Sequence, residues 1–275
     1  MSNQVLRIIN IVLPIGVYYV ITGIVYYLLE GFVTSGDASY MLRQTVACAV
    51  TVPFMWRYFT MDTKRLKETG RYGRSLSVKE LIMNGILAVI AAAALGAALN
   101  NILAMTPLME MSEGFTTANN AFFSGKMVFE LLGSCLIIPV SEELLYRGVV
   151  YRRVKALLLS AEVAAEDAVS VAIVPAMLIS GVVFGLVHAN LVQFLYAAVL
   201  GVLLAFLLEK TNCIVICILG HIAANLAAVL RENTGVLEFA YEPTAAGVGV
   251  TALLFVIAAA VILYLVRQYR STRER

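Results

Sequence analysis

Charge is what this sequence lacks. Only 14% of its 275 residues are Asp, Glu, Lys or Arg, against 61% that are apolar. A soluble domain carries about a quarter charged residues to keep its surface wetted. The shortage argues against a water-facing surface over most of the chain and predicts one that faces lipid, in line with a mean hydropathy of +0.87. Histidine is nearly missing: His188 and His221 are the only two, so any imidazole chemistry must use them. Cysteine is limited to Cys48, Cys135, Cys213 and Cys217, all within apolar runs, where they read as small packing residues rather than a disulfide framework. The period-two alternation of a membrane β-barrel is absent too. Long unbroken apolar runs remain, and these predict helices, which satisfy their own backbone hydrogen bonds in lipid.

Eight runs are long enough to be candidate spans, at 8–29, 44–59, 81–105, 127–150, 169–187, 191–208, 214–230 and 245–266. The second is the weakest, with Pro53 inside it and Trp56-Arg57 at its end. The first is too long for the core of a cleaved signal peptide and is expected to persist as a span. Lys and Arg support this division. Seventeen of the twenty fall in alternate connections, in the ends of the runs that border them (Arg57 and Arg147), or at the termini; only Arg43, Lys126 and Arg231 fall in the other connections. By the positive-inside rule, both termini and the basic connections are cytoplasmic. The expected fold is all-α: a polytopic membrane helix bundle of about eight transmembrane helices with a polar intramembrane cavity. Residues 1–275 then form a single integral-membrane domain, in the cell membrane if the source is prokaryotic. No internal repeat is visible, which counts against an inverted-repeat transporter.

Within the apolar runs, ionisable residues are functional candidates because each costs about 2.5–3.5 kcal/mol near the bilayer centre on insertion scales. The fourth run holds Glu142, Glu143 and Arg147. Glu143 and Arg147 are four apart and can pair on one helix face, while Glu142 points about 100° away and is left to face a cavity. Pro139 just before them should loosen that turn. His188 closes the fifth run, and His221 lies in the seventh with Asn225 on the same face, four residues on. A glutamate, two histidines and an asparagine are the parts needed to activate water against a carbonyl. The bland alternatives are an interfacial helix end for the glutamates and structural hydrogen bonding for each histidine. Cys213, Cys217 and His221 also recur every four residues, a spacing better explained by a small-residue packing face than by metal ligation. The Tyr18-Tyr19 and Tyr26-Tyr27 pairs read as interfacial anchors or cavity lining.

Three motifs in order resemble the signatures of the CAAX-protease and bacteriocin-processing (CPBP) family of intramembrane peptidases, which includes the type II CAAX prenyl endopeptidases. They are Glu142-Glu143 with Arg147, Phe184 with His188, and His221 with Asn225. Residues 127–231 would be the catalytic core helices. The resemblance implies an intramembrane endopeptidase in which Glu142 and His188 activate water and His221 and Asn225 stabilise the oxyanion, with Glu143 and Arg147 in support. It also leaves two options for cofactors: zinc or another divalent metal held by Glu142, His188 and His221, or a metal-independent reaction. The expected partners are a membrane-associated peptide or protein substrate and the lipid bilayer, with no nucleic acid. A proton-coupled transporter and a non-catalytic immunity or binding protein are the competing classes.

A shared site strains the straight-helix reading, since nineteen residues at 1.5 Å would carry His188 nearly 30 Å from the start of its run. Convergence of Glu142, His188 and His221 within about 4–7 Å, enough for one water or metal, therefore predicts a short fifth helix with Pro175 in its first turn. For topology, reporter fusions after Arg275 and within 109–125 are expected to report opposite compartments; one shared compartment would overturn the eight-span layout.

Overall fold

The computed structural model describes residues 3–33, 39–125, 127–161 and 168–273, and every regular element in them is helical. Helices α1 (Asn3–Glu30), α2 (Ser39–Glu68) and α3 (Val78–Ala104) come first. Ser77 starts α3 with a capping box, its side chain accepting from the Glu80 N–H while the Glu80 carboxylate accepts from the Ser77 N–H. Two short helices follow, α4 (Leu108–Met111) and α5 (Glu113–Phe122). An almost continuous helical path then runs through α6 (Met127–Leu132), α7 (Ile138–Leu145) and α8 (Arg152–Ala161), interrupted by π turns at Gly133–Ile137 and Tyr146–Tyr151. The chain ends with α9 (Ala168–Leu186), α10 (Leu191–Thr211), α11 (Ile214–Thr234), a 3₁₀ turn at Glu238–Tyr241, and α12 (Ala245–Arg273).

Each apolar run coincides with one of these helical stretches to within a residue at its end, but the count of about eight spans is not confirmed. Five helices are long and apolar enough to cross a membrane: α1, α3, α10, α11 and α12. A sixth is added if α5 and the α6–α8 path, which meet at 104°, are taken as one broken span. The α2 helix is diluted by the charges of its last turns, and the apolar described part of α9, Ala172–Leu186, is short. The late start expected of the fifth helix is not what forms. Helix α9 already begins at Ala168, and Pro175 lies in its interior, where the missing N–H forfeits a hydrogen bond without ending the helix. His188 reaches the site by a turn rather than by a late start, as set out below.

Small residues bring the central helices together, as expected where helix association in lipid depends on close packing. Ala88, Ala91, Ala92 and Ala98 of α3 are fully buried. On α11, a Cβ at Gly220 would contact Leu204 at 3.1 Å, leaving α10 little room to shift. A Cβ on Gly185 would come within 2.8 Å of the Phe194 carbonyl oxygen, so α9 and α10 touch nearly backbone to backbone. Helix α1 lies at the edge, and Val12, Val20 and Leu28 leave most of their apolar surface exposed, as suits a lipid-facing helix.

The first π turn has a local cause. Pro139 has no N–H to give the carbonyl four residues back, and the ladder shifts so that Ile138 N–H bonds to the Gly133 carbonyl. Gly133 is required there. A Cβ would overlap Thr45 Oγ1 and sit 2.6 Å from Met41 Sδ of α2. Gly133→Ala is expected to destabilise the detergent-solubilised protein by about 1–3 kcal/mol through overpacking, read as a lower Tm. Gly16→Ala, whose Cβ meets nothing within 4 Å, serves as the control. Equal Tm values for the two variants would contradict this packing.

Candidate functional site

Glu143 is the hub of the buried polar residues. Its side chain is fully buried, and Oε1 accepts from Arg147 Nη1 at 2.8 Å and from His221 Nδ1 at 2.9 Å. The Arg147 pair is the i, i+4 pair legible in the sequence. The bond to His221 was not foreseen, and it ties the fourth apolar run to the seventh. Arg147 is also fully buried, with its guanidinium 4.4 Å above the centre of the Phe184 ring. Gly201 makes room for it, because a Cβ there would approach Arg147 Nη2 at 3.0 Å. Four helical stretches therefore meet around one ion pair: α7 with its following π turn, α9, α10 and α11.

Glu142 turns the other way. Its side chain keeps 15% of its surface accessible, and Oε2 faces His221 Nε2 at 3.9 Å, too far for a direct hydrogen bond. Because Glu143 is an acceptor, His221 Nδ1 carries the hydrogen, and Nε2 is the atom presented to Glu142. His188 is fixed in the same manner. Its Nδ1 lies 2.9 Å from the Phe184 carbonyl oxygen, which can only accept, so Nδ1 carries the hydrogen and Nε2 is free of it in the neutral ring. The turn that carries His188 includes Ala189 at φ 57°, and Asn190 caps α10 by accepting from Gln193 N–H at 2.9 Å. Phe184 meets both histidines edge to face, with ring centres 5.2 Å from His188 and 5.7 Å from His221. Asn225 lies on the His221 face of α11, but its Nδ2 donates at 2.8 Å to the Ser134 carbonyl of the first π turn.

Glu142, His188, His221 and Asn225 line one cavity of about 510 Å³, and Glu143 and Arg147 stand behind its wall. Several lining residues escaped the motif reading. Tyr18 hydroxyl lies 3.2 Å from Ser141 Oγ and 3.4 Å from Cys48 Sγ, and Tyr19 hydroxyl is 2.8 Å from that of Tyr146. Their paired position had suggested lining or anchoring but not which. Tyr196 carried no sequence signal; its hydroxyl is buried without a hydrogen-bond partner. Helix α5 closes part of the cavity with Phe115, Ala118, Asn119 and Phe122, spaced for one helix face. The Ser112 N-cap and that spacing are readable in the polar connection between the third and fourth apolar runs.

The donor chemistry would suit zinc or a similar ion, since carboxylate oxygen and neutral imidazole Nε2 are ordinary ligands. The arrangement does not fit one: among the described residues, no three His, Cys, Asp or Glu side chains are grouped closely enough to hold a metal. Cys217 is buried, its Sγ lying 3.3 Å from the Leu204 carbonyl oxygen, consistent with a packing role.

No curated protein and no solved structure matches the chain. The family model described as "Type II CAAX prenyl endopeptidase Rce1-like" matches residues 124–227, which include all three motifs. That family is a protease family, and it is the one the motifs resemble. Residues 124–227, the stretch that contributes Glu142, His188, His221 and Asn225 to the cavity, are thus similar to the Rce1-like type II CAAX prenyl endopeptidases.

Proposed function

We propose that this protein is an intramembrane endopeptidase that hydrolyses a peptide bond in a membrane-associated protein or peptide. The observation that carries the proposal is the facing pair Glu142 Oε2 and His221 Nε2, 3.9 Å apart on the cavity wall, both within the residues that the Rce1-like family model matches. A water seated against both atoms could hydrogen-bond to each.

In this reading Glu142 is the general base. It takes a proton as the water oxygen attacks the scissile carbonyl, and it returns that proton to the leaving amine as the C–N bond breaks. His188 orients the water through Nε2, since Phe184 holds its other nitrogen. His221 stabilises the oxyanion when Nε2 carries a hydrogen to donate, the ring being held in place by Glu143 at Nδ1. Asn225 has spent one amide hydrogen on Ser134 and offers the other to the same oxyanion. Arg147 positions Glu143, and no step is routed through a metal. In the same reading both termini and the basic connections face the cytoplasm, which the distribution of Lys and Arg supports. The transporter and immunity-protein readings gain no observation of their own.

Comparative membrane proteomics of cells making the normal protein or Glu142→Gln tests activity and identifies substrates. Proteins that accumulate uncut only with the variant are the expected result, and identical profiles would refute the assignment. On an identified substrate, Glu142→Gln should lower kcat by at least about 10²–10⁴ with Tm unchanged. Glu143→Gln should reduce both activity and stability, by about 3–5 kcal/mol, since it leaves the Arg147 charge buried without its partner. Equal, mild effects would contradict the division of roles. Protein treated with a strong chelator is expected to retain its activity; loss that zinc restores would replace this water-activation scheme.

A further inference from the structure

We infer that the cavity is loaded from the face opposite the basic connections, and that its substrates are cationic peptide segments exposed at the extracytoplasmic leaflet. The inference rests on the peptidase reading above and adds the side and charge of the substrate.

The first observation is where the cavity runs. Beyond Glu142, its lining comes from Leu103 and Ala104 at the end of α3, from Gln193 at the start of α10, and from Glu232 near the end of α11. Helix α5 lies across the same end with Phe115 and Phe122 turned inward. In the alternating path of the chain, these parts all belong to the face away from the basic connections. The described lining includes no residue of the basic connections. The π turn Tyr146–Tyr151 is buried throughout. Tyr151 hydroxyl donates to Glu209 at 2.6 Å, Lys155 bridges the same carboxylate at 2.7 Å, and Arg153 joins Asp62 of α2 at 2.7 Å. These bonds fasten α8 to α10 and α2 beneath the site.

Charge is the second observation. By sequence, the connections on the open face, residues 30–43, 105–130, 187–190 and 230–244, contain eight acidic residues, of which Glu130 is buried against Asn233 and Glu30 is paired, and three basic ones. Two of the three are engaged: Arg43 pairs with Glu30 at 3.2 Å, and Arg231 bonds to Asn101 while lying over the Tyr241 ring. The described lining includes Glu142 and Glu232 but no Lys or Arg. A cavity without a cation offers little to a free C-terminal carboxylate. An acidic mouth over a low-dielectric cavity instead concentrates cationic ligands, an effect that can raise association rates 10-fold or more and weakens with salt. The inward Phe115 and Phe122 suit an apolar side chain close to the scissile bond.

Two measurements test this. In intact cells, Asn119→Cys and Asn120→Cys on α5 should react with a membrane-impermeant maleimide before permeabilisation, whereas Lys64→Cys on the basic face should react only afterwards. The reverse pattern would overturn the inference while leaving the peptidase reading intact. With purified protein in lipid nanodiscs, quenched peptides sharing one apolar core and flanked by lysines, serines or glutamates should be cleaved in that order. The lysine-to-glutamate ratio of kcat/KM should reach roughly tenfold or more at low salt. It should shrink at high salt and in a Glu110→Gln, Glu113→Gln, Glu232→Gln variant. Cleavage without this order would reject the substrate class. No cleavage of any peptide, with the normal protein folded, would reject the peptidase reading and this inference together.

Discussion

The structure around the cavity depends on one buried carboxylate. Glu143 Oε1 accepts from both Arg147 and His221, two donors on different helical stretches, with no solvent to screen them. A buried ion pair of this sort contributes little net stability, because desolvating the charges offsets most of their attraction. What it supplies is position. It sets the tautomer and orientation of His221, fixes how α11 sits against α7, and places the Arg147 guanidinium against Phe184. Gly201 exists in this arrangement as space, since a larger residue would push into Arg147. The neighbouring Glu142, rotated by one residue on the same helix, can face the cavity because Glu143 has taken the interior direction.

Two π turns flank these glutamates. Such turns widen a helix and alter the phase of its side chains, and they recur at functional sites. Here the first follows from Pro139 and also leaves the Ser134 carbonyl able to accept from Asn225. The second contains Arg147, which lies in its first turn. The stretch that would be a straight span by composition is therefore broken by the residues that build the site. This is one reason length and hydropathy recover fewer spans than the apolar runs suggest.

How far the sequence could be read follows from this. Scarce charge and unbroken apolar runs carried the helical class, because those are the quantities lipid constrains most. The Glu143–Arg147 pair was legible because it is local, four residues apart on one helix. Glu142 and the two histidines stood out because ionisable groups are few in such surroundings. What could not be read was relational. Nothing in the chain says that His221 turns its Nδ1 to Glu143, nor that Asn225 spends a hydrogen on Ser134. The expected late start of α9 failed for a similar reason: it treated depth as a matter of residue count, whereas the turn at Ala189 and the cap at Asn190 redirect the chain. The amphipathic face of α5 was present in the spacing of Phe115, Ala118 and Phe122, yet a ten-residue helix is easily lost inside a polar connection.

Phe184 stands with its edge or face toward both imidazoles and has no atom that can give or take a proton. The ring touches both without linking them by a hydrogen bond. Nδ1 of each histidine is occupied on the protein side, by the Phe184 carbonyl in one case and by Glu143 in the other. With both Nδ1 atoms engaged, a proton exchanged between the rings would leave and arrive through Nε2 and whatever fills the cavity. The two halves of the site therefore communicate through their contents. An empty or dry cavity would leave them as separate, idle groups, and an occupied one would join them into a single circuit.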